Sequence, residues 1–239
     1  MTQHGGDEIL WLTQSLDDVP SDDAWLGPRE RATLQRFRVP KRLREWRLGR
    51  WTAKFAVSSA LGQELGPPFS SMEVIASPDG APEVWVGDHL APISISISHS
   101  DDLGLAVVGP PRLALGCDVE SVEERSPAFV ANYFTGAEAA FVEASGPRDH
   151  GLLATLVWSA KESALKALRT GLRSDTRSIE ISLPGTSAGE GWDDLEIRPG
   201  RLRGWWREAG SKVITVVSNA GSEPPRGAML RLGPRYARS

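Results

Sequence analysis

Residues Leu113 to Glu120 read LALGCDVE. In an extended chain successive side chains point to opposite faces, so Leu113, Leu115, Cys117 and Val119 share one apolar face. Ala114, Gly116, Asp118 and Glu120 share the other, where two carboxylates stand beside two very small residues that leave room for a ligand. Adjacent carboxylates repel unless something positive lies between them, and a hard, oxygen-binding cation is the usual answer. A strand end emerging into water would give the same pattern, so a second stretch has to decide. WSAKESALKAL, Trp158 to Leu168, reads as a helix on which Trp158, Glu162, Leu165 and Lys166 lie near one face. Glu162 can supply a third carboxylate, and Lys166 a cation one turn on. The plain alternative is a surface Glu–Lys pair worth about 0.2–0.5 kcal/mol.

The chain has 239 residues, 40% of them hydrophobic, and a formal net charge of -4. That suffices for one larger domain or two small lobes. The near balance of charge implies no wholesale affinity for nucleic acid. No apolar run approaches membrane-spanning length, and MTQHGGDEIL lacks the basic-then-apolar layout of a secretion signal. The single cysteine, Cys117, excludes an internal disulfide and a cysteine-built zinc site. A cytoplasmic protein is expected.

Ile9 to Leu12 reads as a strand. From Arg29 to Lys54 ten cations (Arg29, Arg31, Arg36, Arg38, Lys41, Arg42, Arg44, Arg47, Arg50 and Lys54) face only Glu30 and Glu45. Leu43, Trp46, Leu48, Trp51 and Phe55 interleave at helical spacings, predicting helices with a buried face and a cationic face, a candidate anion site or simply a solvated one. The predicted helix fades near Gly62 to Pro68. Turns then flank a short strand at Val84 to Val86. PISISISHS alternates Ile93, Ile95 and Ile97 with Ser94, Ser96 and Ser98, the pattern of a half-buried strand, and LGLAVVG returns as its antiparallel partner. His99 falls where the strand meets its turn, able to donate to an anion. Thr135 and Glu138 form a capping-box pattern opening a helix, and a longer helix is predicted from Asp149 to Thr170, ended by Gly171 in a left-handed conformation. SIEISL, DLEIR, RGWWRE and KVITVVS read as strands, and PRYARS as a loose tail.

Together, Ser98-His99-Ser100, GCDVE at Gly116 to Glu120, Phe134-Thr135 with Glu138, and Trp158-Ser159-Ala160-Lys161-Glu162-Ser163 with Lys166 and Gly171-Leu172 resemble one family. It is the 4'-phosphopantetheinyl transferase superfamily, in the two-lobed branch similar to the surfactin-synthetase activating enzyme. The resemblance implies an α+β fold of two similar lobes (1–112 and 113–239) related by a pseudo-twofold axis, each a small antiparallel sheet with a long helix. It implies an enzyme of the holo-[acyl-carrier-protein] synthase type. Such an enzyme moves 4'-phosphopantetheine from coenzyme A to a serine of an apo acyl or peptidyl carrier protein and releases adenosine 3',5'-bisphosphate. Asp118, Glu120 and Glu162 match the family's ligands for magnesium, with manganese possible, and Lys166 its phosphate-contacting lysine. Ser98 and His99 match residues holding coenzyme A phosphates, His99 near the 3'-phosphate. Arg50 and Lys54 match a basic pattern, and Lys41 and Arg44 fall at positions often basic.

Two departures stand out. Gly80-Ala81-Pro82 replaces the usual Gly-Lys-Pro, so one cation is missing, and Cys117 replaces an isoleucine on the apolar face, a core residue rather than a nucleophile. The residue types suit attack by a hydroxyl on a pyrophosphate, which needs charge neutralised on the non-bridging and leaving oxygens. Either Glu162 or a metal-bound water can take the serine proton. Ala128, Phe129, Val130, Tyr133 and Phe134 are candidates for an apolar carrier-docking surface or for packing beneath the next helix. A monomer is expected, with no nucleic-acid or membrane partner. The rivals are another metal-dependent phosphoryl-transfer or hydrolytic enzyme and a nucleic-acid-binding module built on Arg29 to Lys54.

Overall fold

The computed structural model describes residues 8–61, 68–147, 149–189, 191–219 and 223–227. The expected loose tail, and most of the stretch where the second helix was expected to fade, lie outside them. The fold is α+β. In the first half, strands β1 (Leu10–Ser15), β5 (Ser94–Ser100) and β6 (Leu103–Gly109) form one sheet, ordered β13-β1-β6-β5 with β13 (Arg226–Gly227) returning from the far end of the chain. Strands β2 (Met72–Ala76), β3 (Pro82–Val86) and β4 (His89–Leu90) form a second, small sheet. Helix α1 (Pro28–Leu34) and the long α2 (Pro40–Ala60) both have proline in the first turn, where its missing N–H costs nothing. In the second half, β7 (Leu115–Ser121) begins a sheet ordered β7-β12-β11-β10-β8, with β9 paired to β10. These strands are β8 (Glu180–Ser182), β9 (Ser187–Gly189), β10 (Trp192–Arg198), β11 (Arg203–Ala209) and β12 (Lys212–Ser218). Helices α3 (Pro127–Tyr133), α4 (Gly136–Glu143) and α5 (His150–Ala167) accompany it.

Each half lays a long helix across a strand at a glycine. A Cβ on Gly116 would sit 1.8 Å from the Ser163 carbonyl oxygen of α5, and one on Gly104 would sit 2.6 Å from Thr52 Oγ1 of α2. Helix α5 adds small residues on the same face, and Ser159 and Ser163 bond the buried Thr215 hydroxyl of β12 at 2.9 and 2.7 Å.

A buried ion pair recurs in both halves. Lys54 Nζ reaches Glu30 Oε2 at 2.6 Å, and Lys161 Nζ reaches Glu138 Oε2 at 2.9 Å. Each glutamate closes a helix N-terminus, taking the N–H of Gly27 or Thr135, and also accepts a strand N–H, from Val74 or Ile181. Each lysine adds carbonyl acceptors, Trp25 and Phe69 for Lys54, Thr176 and Ile179 for Lys161. Buried charges survive only when paired and fully hydrogen-bonded, and both pairs meet that condition.

The halves share a core. Leu105 and Val107 of β6 pack with Leu115, Cys117, Val119, Ile214 and Val216. The serine face of β5 is therefore not the solvent face expected from its alternation. Ser96 and Ser98 are buried against β7, where the Ser96 hydroxyl accepts the Cys117 N–H at 3.0 Å. Two further sequence expectations change. Strand β2 adds to the strands expected from the sequence, and α5 ends at Ala167, so that Arg169 takes the left-handed position directly after its cap at φ 57°, while Gly171, left-handed as expected at φ 53°, follows two residues on.

Candidate active site

The alternation of β7 turns Gly116, Asp118 and Glu120 toward α5. Gly116 lets the helix approach, and Asp118 and Glu120 then face Glu162 and Lys166 across the contact. The Lys166 ammonium bonds Asp118 Oδ1 at 2.8 Å and the Cys117 carbonyl at 2.9 Å, and lies 3.3 Å from Ser98 Oγ. Glu162, one turn back, lies 3.9 Å from the same ammonium. The Ser98 hydroxyl donates to Asp118 Oδ1 at 2.7 Å, so its proton is committed to the carboxylate.

Electrostatics tie the three acids into one cluster. The Glu162 carboxyl is pushed up to about 7 by burial first and by the Asp118 charge next, with Lys166 pulling the other way. Burial and Asp118 also raise Glu120, while Arg125 and the Trp158 indole N–H hold it down. The Lys166 pKa is raised: desolvation opposes, but the surrounding carboxylates and the Asp118 hydrogen bond outweigh it. One ammonium thus sits among three acids, a net negative centre if all are ionised.

Among the described residues no group of three or more His, Cys, Asp or Glu side chains is already gathered to hold a metal ion. Like charges spread apart, and Lys166 holds Asp118 Oδ1. The other oxygen of Asp118, Oδ2, is buried with no hydrogen-bond partner. A bare buried carboxylate oxygen is costly unless a cation completes it, so the donor set fits a divalent ion.

Two clefts flank this centre. The larger, of about 590 Å³, has an apolar floor from Ile93, Ile95, Leu113 and Leu115, with Lys166 on its wall. The smaller, of about 430 Å³, gathers Arg42, Arg50 and His99 beside Trp46 and Phe37. Both share Gly80, Pro82 and Ile97, and Ala81 lines the larger one without contributing a charge. The Arg50 guanidinium stacks 5.0 Å from the Trp46 ring, and its Nε is buried and unpaired. His99 is held below the usual imidazole range, chiefly by loss of water around its ring.

The expected cationic contacts divide accordingly. Arg50 and His99 come together in one cleft. Lys54 does not join them: its ammonium is 0% exposed and fully engaged with Glu30 and two carbonyls, so no ligand can reach it. Lys41 is exposed and pairs with Glu45 at 3.7 Å, and Arg44 is also exposed but is not among the residues lining either cleft. Arg42 occupies the position expected for those two, a shift of one or two residues along α2. Arg125 was not singled out in the sequence because it lies in an irregular loop with no periodicity to mark it. Phe134 is 3% exposed and packs in the core, whereas Tyr133 remains exposed beside Phe129.

Comparison with known proteins gives the family. Residues 114–214 match the model of the 4'-phosphopantetheinyl transferase superfamily. A holo-[acyl-carrier-protein] synthase of Geobacillus kaustophilus is 34% identical over 90 residues, which are 37% of this chain and 69% of that protein. The chain belongs to the 4'-phosphopantetheinyl transferase superfamily. Its enzyme type is that of the holo-[acyl-carrier-protein] synthases. A putative holo-[acyl-carrier-protein] synthase of Schizosaccharomyces pombe is 37% identical over 65 residues, 26% of this chain and 49% of that protein. Among solved structures, a Bacillus anthracis holo-(acyl-carrier-protein) synthase in complex with CoA (3',5'-ADP) aligns at 26% identity and TM-score 0.37, covering 43% of this chain and 93% of its own. The Helicobacter pylori holo-[acyl-carrier-protein] synthase in complex with coenzyme A aligns at 23% identity and TM-score 0.28, covering 43% and 98%. In this superfamily member no helix of the described residues is long and apolar enough to cross a membrane.

Proposed function

We propose that this protein transfers 4'-phosphopantetheine from coenzyme A to the serine hydroxyl of an apo acyl or peptidyl carrier protein, in the cytoplasm and as a monomer of two lobes, 1–112 and 113–239. The observation that carries the reading is the centre on β7 and α5, where Lys166 meets Asp118 and Glu162 at the wall of a cleft and Asp118 Oδ2 is left bare.

The serine oxygen attacks the β-phosphorus of the coenzyme diphosphate. The P–O bond to the α-phosphate breaks, and adenosine 3',5'-bisphosphate departs with the electron pair. Asp118, Glu120 and Glu162 would hold a magnesium or manganese ion. Such an ion, when bound, neutralises charge on the diphosphate oxygens. Lys166 places a fixed ammonium where negative charge grows, which is where it helps most. Glu162 can take the serine proton, and water is the alternative acceptor. Arg42 and Arg50, with His99 and Glu45 beside them, line a cleft whose two guanidinium groups suit the 3'-phosphate. Arg125, above Phe129 and beside Glu120, stands between the acidic centre and the half-exposed face of α3, a candidate carrier approach.

The test is a panel of apo carrier domains incubated with coenzyme A and magnesium chloride, followed by intact mass. One phosphopantetheine arm should appear on at least one carrier, and a chelator should abolish it. Cleavage of coenzyme A with every carrier left unmodified would replace this reading with a hydrolase.

A further inference from the structure

Helix α5 stops one residue after Lys166, and its reversal is built on Arg169. Hydrogen bonds from Arg169 N–H to the Lys166 carbonyl and from Thr170 N–H to the Leu165 carbonyl, at 2.9 and 3.1 Å, form a paired C-terminal cap. The left-handed residue in such a cap is ordinarily glycine, because a Cβ is penalised there. Here it is arginine, although Gly171 lies two residues on.

The Arg169 side chain shows what the position gains. Its guanidinium fork bonds both carboxylate oxygens of Asp79, at 2.7 and 3.0 Å, and Ser77 Oγ at 3.2 Å. Arg173 adds a bond to the Asp79 carbonyl at 3.1 Å. Asp79 belongs to the other half of the molecule, in the turn Ser77–Ala81 between β2 and β3. That turn is tied internally by Ser77 N–H to the Ala81 carbonyl and Gly80 N–H to the Ser77 carbonyl, both 2.8 Å. Gly80 and Pro82 are the wall that the two clefts share.

The other non-glycine residue at positive φ among the described residues, Asp101 at 52°, also joins the halves, with Lys212 at 3.1 Å and Ser121 at 2.8 Å. Ser96, Ser98 and Ser100 of β5 meet Cys117, Asp118 and Ser121 of β7 in turn. The Asp101–Lys212 pair thus joins the halves at the Ser121 end of β7, and the Arg169–Asp79 pair joins them at the end of α5. Both non-glycine left-handed residues among those described are spent on joining the halves, and strained backbone persists where surrounding contacts over-determine it.

We propose that Arg169 is a positioning residue: its fork on Asp79 clamps the Ser77–Ala81 turn to the end of α5 and so fixes the wall of the coenzyme cleft. This deepens the reading of those clefts as the coenzyme A site. An exposed ion pair adds little stability, but a planar bidentate fork fixes geometry, and lysine cannot reproduce it.

Arg169→Ala and Asp79→Ala should each raise KM for coenzyme A several-fold, with kcat and KM for the carrier changing less. The double variant should be no worse than either single one, as for one shared contact. The charge swap Asp79→Arg with Arg169→Asp should recover part of the loss, and Arg169→Lys should recover less than wild type. Without any ligand, amide hydrogen exchange at Gly80 and Ala81 should quicken in Arg169→Ala. A raised KM in Arg169→Ala alone, with Asp79→Ala unaffected, would make Arg169 a direct coenzyme contact and overturn the clamp, as would unchanged exchange in the turn. Calorimetric titration of wild type with coenzyme A separates the two layers: no binding would retire the cleft assignment, while the exchange result still judges the clamp.

Discussion

Asp118 has a donor from Ser98 and a charge from Lys166 on one oxygen and nothing on the other. Asp118→Asn keeps its volume and removes its charge, so the fold should survive and transfer should fall by at least about a hundred-fold, the scale of losing one charge-stabilising group in a transition state. A time course of carrier mass, with circular dichroism as the control, reads both. Lys166→Ala should lower kcat more than it raises KM, because the ammonium serves charge that develops during reaction. His99 yields a pH prediction. Its pKa is depressed in the free protein, so the ring is neutral at neutral pH. A neighbouring phosphate dianion favours the imidazolium, so the complex holds more protons than its free components. Coenzyme A affinity should therefore rise as pH falls from about 8 to about 6, with proton uptake visible by calorimetry in buffers of different ionisation heat. His99→Ala should flatten that dependence; an unchanged pH profile in the variant would remove His99 from the phosphate cleft.

At the scale of elements, the contact of α5 with β7 assembles the centre, and Gly116 permits it. Gly116→Ala would drive a methyl into the Ser163 carbonyl and the Ala167 amide, backbone groups that cannot rotate away. Overpacking ordinarily costs about 1–3 kcal/mol, and a backbone clash belongs at or above the top of that range. We expect a lower Tm together with lost transfer, checked by calorimetric melting and carrier mass. The two faces were legible in the sequence because period-two alternation on β7 and the i,i+4 spacing of Glu162 and Lys166 are local rules; that the faces meet followed only from the family resemblance. The basic helix was less legible. Lys41, Arg42, Arg44, Arg50 and Lys54 are equivalent as charges in a sequence, and only the rotation of α2 separates cleft from solvent and core. Ser98 was placed correctly on its strand, but the packing of β5 on β7, which turns its hydroxyl onto Asp118, is a long-range contact with no local signature.

At the scale of the whole molecule, one buried lysine–glutamate device recurs in both halves. Lys161 lies next to Glu162 and Lys54 four residues beyond Arg50, yet both lysines face inward to cap a helix start and tie down a strand. Their role is structural, and a variant can show it. Lys54→Ala leaves Glu30 charged and unpaired in the core, a change that costs about 3–5 kcal/mol, and Lys161→Ala does the same to Glu138. Replacing both members of the first pair, Lys54→Met with Glu30→Leu, removes the stranded charge. It should recover part of the loss, less the value of the Gly27 cap and the Val74 contact. Chemical denaturation of the three variants checks the order. The decisive contrast is in binding: Lys54→Ala, assayed well below its melting temperature, should keep the wild-type KM for coenzyme A, whereas Arg50→Ala should raise it. A raised KM in folded Lys54→Ala would mean that the interior of α2 communicates with the cationic cleft, and the division of α2 into a structural face and a ligand face would fail.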